Sequence, residues 1–408
     1  MDPLLRTKLQ ASMAAATQSD ALRQRKLMQP VGDELSVMLS HDGQQYCNFS
    51  GNDYLGLASS QSLKQAAKDA ADAYGVGAMA SPLVTGYSQA HQQLEQLLCE
   101  TTGHEAALLF CSGFSANSAL MQTLFDREDY LICDRLVHAS IIDGLLHSKA
   151  KFGRFKHNDV AHAAHLTAKQ LPSAIVTESV FSMDGDSAPI DALNKLAKQA
   201  NCWLIVDDAH GFGIHHDADP AKESAGEQQT LNAPILALTH QQCDVQIVTF
   251  GKALGCQGAA ILGRQLLIDY LVANARHYIY STALSPLNAH IAYNAVKLSL
   301  TATSRRQQLH RNIALFKQCC QHRQVSLVAS NSPIQPIIVG GNRQVIQLAD
   351  KLKQQGFIVG AIRPPTVPKG SARLRVTLSA LHSAEQITKL VDVIAAELAQ
   401  IAQQPVTD

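Results

Sequence analysis

The chain has 408 residues, and its 34 Lys and Arg balance its 34 Asp and Glu, so the formal net charge is zero. Without a net basic charge there is no overall field to hold nucleic acid, and we expect no nucleic-acid partner. No uncharged apolar stretch reaches the ~18 residues of a membrane-spanning helix, and Met1–Met28 lacks the apolar core of a signal peptide. The nine cysteines contain no C-x-x-C pair, which indicates reduced thiols in a cytoplasmic protein.

Short apolar runs alternate with helical stretches through most of the chain. Runs of this kind are typical of strands buried on both faces, and the alternation predicts an α/β domain with a mostly parallel sheet. We predict strands at Ala107–Phe110, Tyr130–Cys133, Ser173–Glu178, Cys202–Asp207, Val245–Phe250 and Ala259–Leu262, and helices at Ser115–Leu124, Ser140–His147 and Ala192–Ala200. Ligands of such sheets bind where the strands end, so the residues after each strand matter most.

The sequence predicts that the chain divides into three consecutive segments, of which the middle one contains this sheet. Residues 1–52 would form an N-terminal arm of one helix and a hairpin, residues 53–290 the large α/β domain, and residues 291–408 a smaller α+β domain. The hairpin would pair Leu35–Leu39 with Tyr46–Phe49 around Asp42-Gly43. In the smaller domain we predict helices near Leu287–Thr301, Ser304–Gln321, Arg343–Gln355 and from Ser383, and strands at Pro333–Val339 and Arg373–Leu378. We interpret Asp217–Gln242 as a surface excursion.

Three strand ends carry chemically useful residues. Asp207 ends one apolar run and is followed by His210, while Lys252 follows another run between glycines. The segment Ser112–Phe114 opens a helix directly after a strand, where free backbone N–H groups can hold an anion. Each alone has an ordinary explanation: an acidic loop, a loop lysine, a helix cap. Together they supply an acid for a ring nitrogen, a lysine for a Schiff base and a phosphate cradle, which are what pyridoxal 5'-phosphate needs.

Longer segments make the chain resemble the α-oxoamine synthase family of fold-type I pyridoxal-phosphate enzymes. The resemblance extends from Asp20-Ala-Leu-Arg23 to the terminal helix. It is carried by Asn48–Leu57, Asp134–Ser140, Thr177–Gly185, Asp207–Gly211, Arg363–Pro368 and Ala372–Ser379. It implies an aspartate-aminotransferase-like domain with a mostly parallel sheet, a smaller C-terminal domain and a homodimer with shared active sites.

The resemblance also implies a role for each site residue. Lys252 would bind the cofactor covalently and then remove the α-proton of the amino acid. Asp207 would pair with the ring nitrogen, His210 and Ser182 would lie by the 3-hydroxyl group, and His138 would stack on the ring. The phosphate would contact Ser112, Gly113, Phe114 and Thr249, with Ser281 and Thr282 reaching it from a second subunit. Substrate carboxylates would contact Arg23, Asn52, His138, Arg363 and Thr366.

The implied reaction is a decarboxylative condensation of an amino acid with an acyl thioester. Within the family, Arg363–Pro368 favours the branch that joins L-alanine to a pimeloyl group, carried on CoA or on an acyl carrier protein. Two alternatives stay open. One is a sister enzyme that uses glycine, such as a glycine C-acetyltransferase or a 5-aminolevulinate synthase, and the other is a non-catalytic protein that binds the cofactor.

The chain departs from the family pattern in two places, and one cluster invites another interpretation. The family's Gly- and Ser-rich loop reads Gly75–Gly86 here, with Ala78–Pro82 replacing small flexible residues. Ala253 and Cys256–Gly258 also replace a more Gly-rich turn after the lysine. His157, His162 and His165 could suggest a metal, but no carboxylate or cysteine completes a convincing ligand set, so we expect none.

Overall fold

The computed structural model describes residues 3–23, 25–32, 37–41, 43–214 and 238–403. The helices are α1 Pro3–Gln18, α2 Gln61–Tyr74, α3 Gln89–Thr102, α4 Gly113–Leu124, α5 Ala139–Ser148, α6 Val160–Lys169, α7 Ile190–Gln199, α8 Gln265–Asn274, α9 Arg276–Ile279, α10 Pro286–Thr301, α11 Thr303–His322, α12 Asn342–Gln354 and α13 Ala384–Gln403, with a π-helical turn at Pro82–Gly86. The strands are β1 Gln29–Pro30, β2 Met38–His41, β3 Gln44–Asn48, β4 Ala106–Phe110, β5 Tyr130–Asp134, β6 Lys151–Phe155, β7 Ala174–Glu178, β8 Trp203–Asp207, β9 Val245–Thr249, β10 Ala259–Gly263, β11 Ile334–Gly340, β12 Phe357–Ile358, β13 Gly360–Ile362 and β14 Ala372–Thr377.

Contacts along the chain define two compact units. The central unit comprises residues 52–182 and 186–306, and the terminal unit comprises residues 1–51, 183–185 and 307–408. The terminal unit thus groups the N-terminal segment with the C-terminal one, whereas the sequence predicts residues 1–52 as a separate arm. The division into three domains remains a prediction.

The central unit contains one seven-stranded sheet in the order β4-β10-β9-β8-β7-β5-β6. Strand β10 is antiparallel to both of its neighbours, and the remaining pairs are parallel. The predicted mostly parallel α/β sheet is therefore confirmed. All six predicted strands of this sheet are present to within a residue or so, and β6 is the one that the sequence missed.

Apolar side chains on both faces of this sheet explain why it is covered by helices. On one face Leu131 and Ile247 belong to a core that includes Met121 of α4. On the other face Ile132 belongs to a second core with Leu193 of α7. Because neighbouring residues of a strand point to opposite faces, a continuous apolar run such as that of β5 buries both sides of the sheet.

The terminal unit holds two smaller sheets. One has the order β1-β2-β3-β12 and the other the order β11-β14-β13. Strands β2 and β3 form the predicted hairpin, with Met38 paired to Cys47. Of that prediction, Leu35 and Asp42 lie outside the described residues, as do residues 217–237 of the predicted surface excursion. No helix in the described part of the chain is long and apolar enough to cross a membrane.

Candidate active site

The carboxyl ends of two adjacent strands bring the acid and the lysine to one edge of the sheet. Asp207 is the last residue of β8 and pairs with Ile247 of β9, and Lys252 follows the end of β9 by three residues. The Asp207 side chain is buried, and its oxygens accept hydrogen bonds from Asn117 Nδ2 at 2.7 Å and from the Ala209 N–H at 3.0 Å. Lys252 Nζ donates to Thr249 Oγ1 at 3.4 Å. A fixed carboxylate therefore shares this edge with a partly buried amine.

A second buried carboxyl group, Glu178, ends the neighbouring strand β7, in register with Asp207. Burial raises its pKa well above the ordinary value, the charge of Asp207 raises it further, and Lys252 opposes this rise. The backbone N–H groups of Ser182 and His138 donate to its carboxyl group. Sequence reasoning quoted this segment without giving Glu178 a role, although an acid ending an apolar strand was the same signal that identified Asp207.

His210 is held by a tyrosine that sequence reasoning also missed. The fully buried Tyr54 shares a hydrogen bond with His210 Nδ1, with 2.7 Å between the phenolic oxygen and the ring nitrogen. The same phenol donates to Asn52 Oδ1 at 3.2 Å. Tyr54 therefore joins a residue predicted to bind the cofactor to one predicted to bind substrate.

The predicted phosphate cradle is the start of helix α4. Ser112 caps this helix, and its Oγ accepts from the Ser115 N–H at 3.2 Å. A Cβ atom on Gly113 would lie only 2.5 Å from Thr249 Cγ2, so only glycine lets the helix start approach the end of β9 this closely. Backbone N–H groups at the start of a helix, together with the helix dipole, favour an anion at such a place.

His138 caps the neighbouring helix α5 and stands edge-on to Phe114, with 6.5 Å between the ring centroids. Its Nδ1 lies 2.7 Å from Ser140 Oγ and accepts from the Ser140 N–H at 3.3 Å. Ser140 Oγ also accepts from Asn117 Nδ2 at 3.0 Å. His138, Asp207 and the helix start are thus gathered around one edge of the central unit.

The remaining predicted cofactor residues also lie in the central unit. Ser182 follows β7 and is half-buried, and its N–H donates to Glu178. Ser281 and Thr282 follow α9 and are exposed, and the Thr282 carbonyl accepts from Cys111 Sγ at 3.5 Å. The predicted contact of Ser281 and Thr282 with a second subunit remains a prediction.

Three predicted substrate residues belong to the terminal unit and lie close together there. Arg23 Nη2 donates to Thr366 Oγ1 at 3.2 Å, and Arg363 Nη1 donates to the Asp20 carbonyl at 2.8 Å. The other two, Asn52 and His138, belong to the central unit. Arg373, which sequence analysis did not assign to the site, pairs with Asp184 at 2.6 Å within the terminal unit and so has a structural partner.

His157 is fixed between two carboxylates. Its Nδ1 lies 3.0 Å from Asp134 and its Nε2 lies 2.7 Å from Asp186. Burial alone would lower the pKa of His157, but hydrogen bonds to both aspartates and their charges outweigh it and raise the pKa to about 10. His157 is thus a structural cation. Within the described residues, no cluster of His, Cys, Asp and Glu has the arrangement of a metal site.

Comparison with known proteins places the chain in a family. The aminotransferase class I and II family matches residues 44–394, and the chain belongs to that family. It has the fold of the fold-type I pyridoxal-phosphate enzymes. The predicted fold class is thereby confirmed.

Solved structures of two enzyme types are similar to this chain. The serine palmitoyltransferase of Sphingomonas wittichii is 25% identical, with a TM-score of 0.87, and the match covers 99% of this chain and 100% of that chain. The serine palmitoyltransferase of S. paucimobilis, bound to a pyridoxal phosphate–myriocin aldimine, is 24% identical, with a TM-score of 0.85. That match covers 98% of this chain and 100% of the S. paucimobilis chain. The 8-amino-7-oxononanoate synthase of Francisella tularensis is 31% identical, with a TM-score of 0.73, and covers 88% and 99%.

Proposed function

We propose that this chain is an 8-amino-7-oxononanoate synthase of biotin biosynthesis. It would be a pyridoxal-phosphate-dependent acyltransferase that condenses L-alanine with a pimeloyl thioester and releases carbon dioxide and the thiol. The observation that carries the cofactor assignment is the shared edge formed by Asp207, Lys252 and the start of helix α4. Gly113 supports it, because a Cβ at this position would clash with Thr249 Cγ2, so glycine lets the backbone of the helix start lie close to the end of β9, where helix-start N–H groups favour a phosphate.

The charges and the functional groups of the site residues fit those of pyridoxal phosphate. When bound, the cofactor supplies an aldehyde that a lysine can hold and a ring that accepts an electron pair. Lys252 would hold the aldehyde carbon and accept the α-proton of the amino acid at Nζ. Asp207 would hold the charge on the ring nitrogen, His210 and Ser182 would donate to or accept from the 3-hydroxyl group, and His138 would cover the ring face.

Arg23 and Arg363, together with Thr366 and Asn52, would bind the carboxylates of the substrates. A planar guanidinium group binds a carboxylate through two parallel hydrogen bonds, which suits Arg23 and Arg363. Thr366 would add a hydroxyl group, and Asn52 an amide. These roles are inferred from the family resemblance, and the Arg23–Thr366 hydrogen bond supports a common function for that pair.

The choice of L-alanine and a pimeloyl donor rests on sequence. The Francisella enzyme is 31% identical to this chain, against 24–25% for the serine palmitoyltransferases, although their TM-scores are higher. Identity reports side chains, which select substrates, whereas the TM-score reports the backbone, which these enzymes share. The segment Arg363–Pro368 favours the same choice.

We also propose a cytoplasmic homodimer, with CoA or an acyl carrier protein as the acyl carrier. Large apolar side chains of the central unit are exposed, which supports burial against a second copy of the chain. They include Val76 at 78% exposure, Met79 at 93%, Val84 at 74% and Tyr280 at 73%. Val76, Met79 and Val84 lie within Gly75–Gly86, the segment in which Ala78–Pro82 replaces the small residues typical of the family.

A substrate panel tests the proposed function. We expect turnover with L-alanine and pimeloyl-CoA that exceeds turnover with glycine and acetyl- or succinyl-CoA, or with serine and palmitoyl-CoA. Faster turnover of a glycine or serine pair would replace the proposal by the corresponding sister enzyme. The variant Lys252→Ala should abolish condensation while dimers still form, and unchanged turnover would remove Lys252 from its assigned role.

A further inference from the structure

We infer that Asn117 and Ser140 are positioning residues that join Asp207 to His138 through hydrogen bonds of fixed direction. The inference rests on the proposed function, since both ends of the connection are residues assigned to the cofactor. All four residues lie in the central unit, and Asn117 and Ser140 were assigned no role by sequence. Asn117 is 2% exposed and Ser140 is fully buried, so water does not compete for their hydrogen bonds.

The orientation of the Asn117 amide follows from its neighbour. Its Nδ2 lies 2.7 Å from Asp207 Oδ2 and 3.0 Å from Ser140 Oγ, and the two hydrogens of the amide serve one acceptor each. With the amide flipped, an oxygen would face the Asp207 carboxylate oxygen, and two acceptors would repel each other. The present orientation leaves Asn117 Oδ1 buried without a partner among the described residues.

A buried acceptor without a partner is costly, so the orphaned Oδ1 is informative. The fold tolerates this cost in order to aim both N–H groups of Asn117 at Asp207 and Ser140. A side chain that only filled space in the core would not need to leave a buried polar atom without a hydrogen bond. The observation points to a donor role toward the carboxylate that holds the ring nitrogen.

The hydrogen bonds between Ser140 and His138 also have a fixed donor and a fixed acceptor. A backbone N–H can only donate, so the 3.3 Å contact from the Ser140 N–H requires His138 Nδ1 to carry its lone pair. The Ser140 hydroxyl group, 2.7 Å from the same nitrogen, must then donate to it while accepting from Asn117. His138 is thereby held with its proton on Nε2, so the ring that covers the cofactor site keeps one tautomer.

Two substitutions at position 117 separate the donor role from a space-filling role. Asn117→Asp keeps the size of the side chain but replaces the donor by an acceptor beside Asp207, whereas Asn117→Ala only removes it. We expect the affinity of the apoprotein for pyridoxal phosphate, measured by fluorescence titration, to fall about 10-fold for Ala and about 100-fold for Asp. Ser118→Ala is the matched control, because Ser118 is equally buried on α4 and donates only to the Ser140 carbonyl.

The second readout is the tautomer of His138 in the apoprotein. Nitrogen-15 NMR of labelled histidine should show Nε2–H in the wild type and a mixture of tautomers in Ser140→Ala, with cofactor affinity changed less than in Asn117→Asp. An Asp variant that binds the cofactor as well as or better than Ala, or an unchanged tautomer in Ser140→Ala, would overturn the inference. A wild-type apoprotein that binds no cofactor would instead overturn the proposed function.

Discussion

At the scale of single residues, the site depends on charges held at strand ends by partners far away in sequence. Asp207 could be predicted because an acid that ends an apolar run stands out in any sequence. Its donor Asn117 could not, because an Asn within a helix becomes meaningful only when folding brings it 2.7 Å from a residue 90 positions away. Tyr54 was missed for the same reason, whereas Glu178 ends an apolar strand as Asp207 does, and that signal in its sequence was not used.

His157 provides a prediction at this scale. Its pKa in the folded protein is about 10, above the ordinary value of 6.5, so its charge stabilises the fold fully below pH 6.5 and ceases to do so as the pH rises through 10. We expect His157→Gln to cost about 1–3 kcal/mol at pH 6.5, and less as the pH approaches 10. Denaturation of the wild-type and variant apoproteins at several pH values measures this difference in the free energy of unfolding.

The control for that experiment is His165→Gln on the same part of the chain. His165 is exposed, and its ring stacks on His162, so its loss should change stability little at any pH. A difference between wild type and His157→Gln that stays constant from pH 6.5 to 10 would contradict the assignment of His157 as a structural cation.

At the scale of elements, apolar runs and turn residues located most helices and strands. The strands β4, β7, β9 and β10 are buried throughout, so their sequences are mostly apolar and were found to within a residue or so. The missed strand β6 is Lys-Phe-Gly-Arg-Phe, which lies at the sheet edge and is exposed at Lys151 and Arg154. An edge strand needs no apolar run, so its sequence carries little signal.

The junction of helix α4 with strand β9 provides a prediction at this scale. Gly113→Ala places a methyl group about 2.5 Å from Thr249 Cγ2, so the helix start must move away from the strand end. A shift of this kind costs about 1–3 kcal/mol, and we expect cofactor affinity to fall roughly 10-fold or more. Titration of the apoprotein with pyridoxal phosphate measures the loss.

A second substitution shows whether the clash is the cause. Thr249→Ser removes Cγ2 and keeps the hydroxyl group, so Gly113→Ala combined with Thr249→Ser should recover much of the affinity. If the double variant binds the cofactor as weakly as Gly113→Ala alone, the close approach of the two elements is not what forms the cradle.

At the scale of the whole molecule, the sequence predicts a dimer whose subunits share active sites. Hybrid dimers test this arrangement. One parent carries Lys252→Ala and the other carries Ser281→Ala with Thr282→Ala, and each parent alone should have little activity. If Ser281 and Thr282 act on the site of the partner, one site of every hybrid contains wild-type residues only, and mixing the parents restores activity.

Hybrids that stay as weak as their parents would show that Ser281 and Thr282 act within their own subunit. A mixture of the two parents kept under conditions that prevent subunit exchange is the control. The exposed apolar side chains between Val76 and Val84 make the same arrangement testable by light scattering, because a monomer in solution would leave them in water.

The most direct test of the proposed function follows the carboxyl carbon of the amino acid. Purified enzyme with its cofactor is given pimeloyl-CoA and L-alanine labelled with carbon-13 at the carboxyl group. We predict that one labelled carbon dioxide appears for each CoA thiol released, together with the mass of 8-amino-7-oxononanoate. Labelled pyruvate without carbon dioxide, as transamination would give, or no release of CoA thiol, would contradict the account.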